Sequence, residues 1–482
     1  MNDSTQLISQ DVEETIKEIK DQFSYGINSD FTCHSLQLQR ERCAYLCYYS
    51  SIVDRSMIQE QILSPLLQWQ EGDIDLRLPF DKTEKITRLQ DAIVSIQAGK
   101  AILFLAHSSV AYTMDVAQFQ HRGIEKPTNE NVVKGPKEAF TESLGTNLSL
   151  IRKRTLQHQL IAESITVGER FPNDVTMMYI KDLANEQLVN LIRTRLKEIK
   201  VDTVRNVELL EQHLEERPYS LIPTILYTER PDRASTFLED GYITLLMENS
   251  SSCLILPVTF WAFFHSPEDR YLRFSFGNFS RFIRMIAIFI TLFTSAIYIA
   301  ITNFHSEMVP MDLLLAIASA RERVPFPAVL EVFIMEFAFE LIREAGLRIP
   351  SPLGPTIGIV GAIIIGQAAV QANVISPIII IVVSLSGLSS FTISDISFNY
   401  TVRLTRFIFI FAASFYGIYS LTGAFLLWVM YLFSLRSFGV PFLSPASPYS
   451  LSSNDTFFRP ILKKEKYRPN YLLPKDIRKQ ED

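Results

Sequence analysis

Between Pro325 and Phe391 long apolar runs are interrupted by charges and amides that hydrocarbon rejects, and few architectures tolerate both. Pro325 and Pro327 open the stretch, an apolar helix carrying Glu331, Glu336 and Glu340 follows, and the chain then turns through Gly346 to Gly358. A charge at the centre of a lipid-embedded helix costs ~2.5–3.5 kcal/mol, whereas each Leu, Ile, Phe or Val returns only ~0.3–0.6 kcal/mol. Three ionised glutamates outweigh the apolar residues of Pro327 to Leu341, so this helix cannot cross lipid unaided. At about 100° per residue, Glu336, Glu340 and Arg343 form one acidic stripe, with Glu331 nearly opposite. Either the helix lies at the membrane interface, which the polar Arg343, Glu344 and Arg348 favour, or its stripe lines a bundle interior or a cation path.

The small residues after that turn have a different use. Gly358, Gly361 and Gly366 permit close helix approach and are candidate subunit-interface positions, while Thr356, Val360, Ile364, Gln367 and Gln371 share one face. That face is a candidate pore lining; the alternative is a tightly packed spanning helix whose amides bond to neighbours. Val374 to Leu388 is a further apolar span, Phe391 to Arg406 is polar, and Phe407 to Phe433 is a last span with room for a break near Gly417 or Gly423. Met285 to Thr302 is the first span, and Met308 to Ala320 is too short to cross simply. Arg270, Arg273, Arg281 and Arg284 precede that first span, and no Lys or Arg follows it in Asn303 to Val309, which places the N-terminal half in the cytoplasm. The tail from Ser434 is Pro- and Ser-rich, then basic at Lys463, Lys464, Lys466 and Arg468, as a cytoplasmic tail would be. Five helices would put it outside, so at least one element should be re-entrant or interfacial.

The N-terminal half has the mixed composition of a soluble α+β domain. Helical spacing marks Asp11 to Lys20, Thr83 to Gln97, Leu188 to Ile199 and Arg205 to Glu216; strand patterns mark Cys43 to Val53, Lys100 to Val116, Leu160 to Val167 and Val175 to Ile180. An offset of 142 residues lays Ala92, Gly99, Leu103, Ser108, Ser109 and Val116 over Ala234, Gly241, Leu245, Ser250, Ser251 and Val258, which suggests two related subdomains or chance likeness of similar units. Thr228 to Arg233 (TERPDR) fits a helix start with Pro231 in its first turn. The expected fold is an α+β cytoplasmic domain of two subdomains (1–122 and 123–265), then an all-α polytopic membrane domain (266–435) and a tail (436–482).

Several function classes drop out. Net charge is −6 with no basic block outside the tail, against a nucleic-acid partner. Cys33, Cys43, Cys47 and Cys253 form neither a zinc pattern nor a disulfide framework and read as free thiols. The polar, acidic start does not look like a signal peptide. No catalytic arrangement, cofactor loop or metal cluster is expected, and no enzyme activity.

GPKEAFTESLGTNLSLIRKR, TERPDR, VPFPAVLEVFIMEFAFELIREAGLRIPSPLGPTIGIVGAIIIGQAAVQANVISPIIIIVVSLSGLSSF and SFGVPFLSP together resemble the A subunit of bacterial spore nutrient germinant receptors, the GerA family. The resemblance implies a subunit of the spore inner membrane that works with a transporter-like B subunit and a lipoprotein C subunit. It also implies homo-oligomerisation in lipid to form a ligand-gated, ion-conducting pathway that starts germination. A secondary transporter of ions or small nutrients, or a structural anchor for the partner subunits, is the alternative.

Overall fold

The computed structural model describes residues 7–38, 42–67, 83–118, 127, 130, 132–348, 366–452 and 455–480. Helix α1 (Val12–Gln22) is capped by Asp11, whose carboxylate accepts the Glu13 N–H at 3.0 Å, and buries Val12, Ile16 and Ile19. Strands β1 (Phe31–Leu38), β2 (Arg42–Tyr49) and β3 (Glu84–Ile86), helix α2 (Leu89–Gln97), and strands β4 (Lys100–Leu105) and β5 (Ala111–Asp115) follow. The strands pair antiparallel in the order β1-β2-β4-β5-β3. Thr83 to Gln97 is thus not one helix. Its first residues form an edge strand on β5, and the helix begins only where the spacing of Leu89, Ala92, Ile93 and Ile96 supplies a buried face.

The next segment repeats the plan. Helix α3 (Leu144–Arg154) leads into β6 (Leu160–Val167) and β7 (Asn173–Ile180); α4 (Glu186–Glu198) and α5 (Val207–Leu214) precede β8 (Leu226–Thr228), α6 (Pro231–Glu239), β9 (Ile243–Met247) and β10 (Cys253–Leu256). The second sheet runs β6-β7-β9-β10-β8, the same order with five new strands. The 142-residue offset carries Glu84, which opens β3, onto Leu226, which opens β8. It also superposes backbone handedness: Gly99 and Gly241 have φ of +84° and +91°, and His107 and Asn249 both have +60°. Positive φ at the same step after each helix and within each strand turn argues for a repeated unit rather than chance.

A buried clamp joins the two sheets. Arg152 of α3 forms an ion pair with Asp30, which precedes β1, and its guanidinium lies 3.8 Å from the centre of the Tyr49 ring. Asp30 also accepts from Ser50 Oγ, Ser51 N–H and Ser51 Oγ at 2.8–2.9 Å. Ser29 N–H and Oγ both donate to Ala162 O at 2.8 Å. Both members of the ion pair are almost fully buried, so neither can be hydrated if the other is lost.

Beyond β10 the chain is helical: α7 (Phe274–Phe304), α8 (Met311–Arg321), α9 (Ala328–Arg348), α10 (Pro377–Ser390), α11 (Ile396–Tyr416) and α12 (Ile418–Ser434). Among the described residues α7 alone has both the length and the apolar composition to cross a membrane; α10 and α12 are shorter apolar helices. The expected last span from Phe407 to Phe433 is two helices. Gly417, at φ +62°, ends α11, and α12 folds back so that the Phe409 ring stands 6.2 Å from Trp428. Most of the polar run before it forms the first half of α11, begun where the Asp395 carboxylate accepts the Phe398 N–H at 2.9 Å.

The segment after α12 returns to the second sheet. Lys475 N–H donates to Leu183 O at 3.0 Å, Asn185 Nδ2 to Leu472 O at 3.1 Å, and the Tyr471 and Tyr242 hydroxyls are 2.6 Å apart. The tail and the second sheet therefore lie on the same side of the helices. If the Arg152 clamp holds the sheets together, Asp30→Ala will lower the stability of the full-length protein by about 3–5 kcal/mol in urea unfolding, the usual cost of stranding a buried charge. A loss below about 1 kcal/mol, typical of an exposed pair, would contradict that role.

Candidate functional site

Helix α9 carries the three glutamates singled out by the sequence, and the fold surrounds them with cations. Glu331 and Glu336 are completely buried, which places them inside the helix bundle and not on an interfacial surface. Glu331 accepts from Arg321 Nε at 3.3 Å and from the Ser376 N–H, just before α10, at 2.9 Å. Glu336 accepts from Ser295 Oγ of α7 at 2.6 Å. Arg406 of α11 places Nη2 3.0 Å from Glu336 Oε2 and 2.8 Å from Glu340 Oε1; the first contact is Coulombic without a well-aimed N–H. Arg403, one turn earlier, also binds Glu340. Arg406 Nη1 reaches Ser386 Oγ of α10 at 3.1 Å, so three helices meet at this one guanidinium and α7 joins them through Ser295 on Glu336.

Arg343 lies on the predicted stripe but serves a different neighbour. Its Nη2 donates to Gly387 O at 3.2 Å and to Ser390 Oγ at 2.6 Å, at the end of α10, and its guanidinium lies 4.3 Å from the Phe391 ring centre. Helix α9 thus sets a carboxylate at the N-terminus of α10 and a guanidinium at its C-terminus, matching the helix dipole at both ends. Close approach makes this possible: a Cβ on Gly387 would fall within 2.4 Å of the Phe339 ring of α9.

The other sequence candidates are distributed differently. Gln367 and Gln371 are exposed in the single chain, and Gly366 is buried, with Ile380 of α10 next to it. Thr356, Gly358, Val360, Gly361 and Ile364 lie outside the described residues. That Arg403 and Arg406 neutralise α9 was missed by sequence reasoning, although each pair, i and i+3 for the arginines and i and i+4 for Glu336 and Glu340, shares one helix face.

A second constellation sits where the soluble half, the start of α7 and the tail meet. A cavity of 140 Å³ is lined by Asp232 and Arg233 of α6, by Trp261, His265 and Arg281, and by Asp455 and Tyr471 of the tail. Arg281 lies between Asp269, at 3.2 Å from its Nε, and Asp455, while Arg284 Nη1 meets Asp269 at 2.9 Å. These arginines, read from sequence as flanking charges, are buried in α7 with their counter-ions. TERPDR starts α6 with Pro231 in its first turn, as expected, and Arg230 pairs with Asp232 at 2.9 Å while Arg233 pairs with Glu130. Burial, reinforced by Arg281 against the opposing pull of Asp455, pushes the His265 pKa down to about 4. Among the described residues no His, Cys, Asp and Glu group is placed to hold a metal ion.

Comparison with known proteins places this architecture in a family. The family model described as Bacillus/Clostridium GerA spore germination protein matches residues 17–471. Spore germination protein A1 of Bacillus subtilis (strain 168) is 36% identical over 453 residues, 93% of this chain and 94% of that one. Spore germination protein KA of the same organism is 34% identical over 480 residues, covering 97% and 87%. The crystal structure of the N-terminal domain of the A subunit of the Bacillus megaterium spore germinant receptor GerK3 is 26% identical, with a TM-score of 0.41, and covers 54% of this chain and 99% of that one. This chain belongs to the GerA family of spore germination proteins.

The neutral His265 has a pH consequence. Its folded pKa is about 4, whereas an unfolded histidine titrates near ~6.5, so between those values only the unfolded chain binds the proton. Stability therefore falls as pH drops through that window, by up to about 3 kcal/mol from this residue. Melting curves of the full-length protein in detergent should show His265→Gln losing less stability than wild type between pH 7 and pH ~4.5. Identical pH dependence in the two proteins would contradict a buried neutral imidazole.

Proposed function

We propose that this chain is the A subunit of a nutrient-sensing germinant receptor in the spore inner membrane, with its soluble half and tail in the cytoplasm. It acts beside a transporter-like B subunit and a lipoprotein C subunit, and several copies enclose an ion-conducting pathway that opens when nutrient is sensed. Family membership supports the receptor role, and the relatives named spore germination proteins align over both halves of the chain.

The observation that carries the pathway is a pair of exposed amides. Gln367 and Gln371 lie on a helical segment that leads into α10, and among the described residues nothing covers them. Amides at membrane depth are favourable only against protein or water, so a neighbouring copy or an aqueous path has to meet that face. The glutamates are a poorer lining because each already has an arginine. On this reading Val360 and Ile364, which the sequence periodicity sets in line with Gln367 and Gln371, would form an apolar neck that gates by dewetting.

Transmission from the soluble half has a direct route. Val258 N–H donates to Ser437 Oγ at 3.0 Å, and Ser437 Oγ donates to Thr224 O at 2.7 Å, so the end of β10, the approach to β8 and the exit from α12 share one hydroxyl. Thr401 of α11 donates to Leu221 O, and Tyr431 of α12 donates to Ser220 Oγ at 2.8 Å. The soluble half thereby touches two helices directly.

Spores carrying Val360→Asp, at wild-type protein level, should release ions or germinate without nutrient because a charge hydrates the neck. Nutrient-dependent release indistinguishable from wild type would move the pathway away from this face.

A further inference from the structure

Strands β1 and β2 place two of the four cysteines directly opposite each other, in the register Cys33 to Cys47. Main-chain bonding sorts the pairs along this hairpin into two kinds. Ser50 N–H bonds to Asp30 O across it, whereas Cys43 O faces away and accepts from Ala106 N–H beside β4. Orientation alternates along a strand, so Cys47 shares the outward-bonding parity of Cys43, and Cys33 and Cys47 form a pair without mutual main-chain bonds. Opposite side chains come closest at such pairs, where Cα atoms are about 4.5 Å apart, within the span a disulfide accepts. The two sulfurs are 2.9 Å apart, with Cys47 Sγ donating to Cys33 Sγ.

The two thiols differ in a useful way. The hydrogen bond from Cys47, opposed by burial and helped by Lys20, holds the Cys33 thiol below its ordinary value, while burial pushes Cys47 up. Cys33 lies on the sheet edge with a small part of its surface open, and Cys47 has none. One sulfur is thus primed to react with a small oxidant, and the other stands ready to resolve the product.

We propose that Cys33 and Cys47 are a reversible redox site whose oxidised form is a cross-strand disulfide and whose co-reactant is hydrogen peroxide. The Cys33 thiolate attacks one peroxide oxygen, the O–O bond breaks, and Cys33 sulfenic acid and hydroxide form. Cys47 sulfur then attacks Cys33 sulfur, the S–O bond breaks, and the sulfenic oxygen leaves as water with the Cys47 proton. The hydroxide takes up the proton released by Cys33. Two thiols lose two electrons in all, and the peroxide is reduced to two waters. A thiol reductant reverses the change.

The position gives this bond a mechanical role. Asp30, the anion of the clamp between the two sheets, lies three residues before Cys33; Tyr49, Ser50 and Ser51, which hold the same clamp, begin two residues after Cys47. Oxidation would tie together the two strands whose ends carry that clamp. Cys43, exposed and opposite Gln37, has no such partner in the register and serves as an internal contrast.

Full-length Cys43→Ser protein in detergent, folded and reduced, is treated with hydrogen peroxide, then denatured for thiol titration and peptide mass spectrometry. The three remaining thiols should fall to one, with a Cys33–Cys47 linked peptide, and dithiothreitol should restore three. The additional Cys33→Ser change should abolish the loss. Three thiols persisting after treatment, or Cys33 sulfinic acid without a linked peptide, would overturn the assignment.

Discussion

A carboxylate sealed from water must sit beside a cation or give up its charge, and α9 carries two such groups, Glu331 and Glu336, with the partly buried Glu340 beside them. The arrangement of the helical half follows from satisfying them. Arg321 comes from α8, Arg403 and Arg406 from α11, and hydroxyl or amide donors come from α7 and the start of α10. The partners come from four other helices or their ends, so helix association and charge neutralisation are one event. Buried ion pairs are a poor source of net stability, because desolvation consumes most of the Coulombic gain. Their value here is register: sliding α11 by one residue against α9 would strand Arg406.

That constraint also explains which parts of the fold could be read from sequence. Periodicity located most soluble elements to within a few residues, and the faint repeat at 142 residues reappears as two sheets of identical strand order with matched positive-φ turns. Short edge strands escaped because three residues such as Glu84 to Ile86 carry no period of their own. The acidic helix was visible, but its partners were not, since pairing Glu340 with Arg403 spans more than sixty residues and no local pattern encodes it. The polarity of the first half of α11 was visible without its use for the same reason: arginines that face a carboxylate and arginines that face water are the same letters.

The tail shows the same limit in another form. Its Pro, Ser and Lys content suggests a solvated segment, yet Tyr471, Leu472 and Lys475 bind the second sheet, and Asp455 pairs with Arg281 at the start of α7. The core of the second sheet continues into the helices without a gap. N-terminal half, helices and tail therefore close a ring of contacts.

Arg406 holds the helical half together by answering Glu336 and Glu340. The most direct measurement is equilibrium unfolding of the full-length protein in lipid nanodiscs for Arg406→Met alone and for Arg406→Met combined with Glu336→Gln. The single change should cost about 3–5 kcal/mol by leaving Glu336 without a cation, while Glu340 keeps Arg403, and the double change should recover at least half of that loss. A single variant as stable as wild type, or a double variant no better than the single, would contradict that role of Arg406.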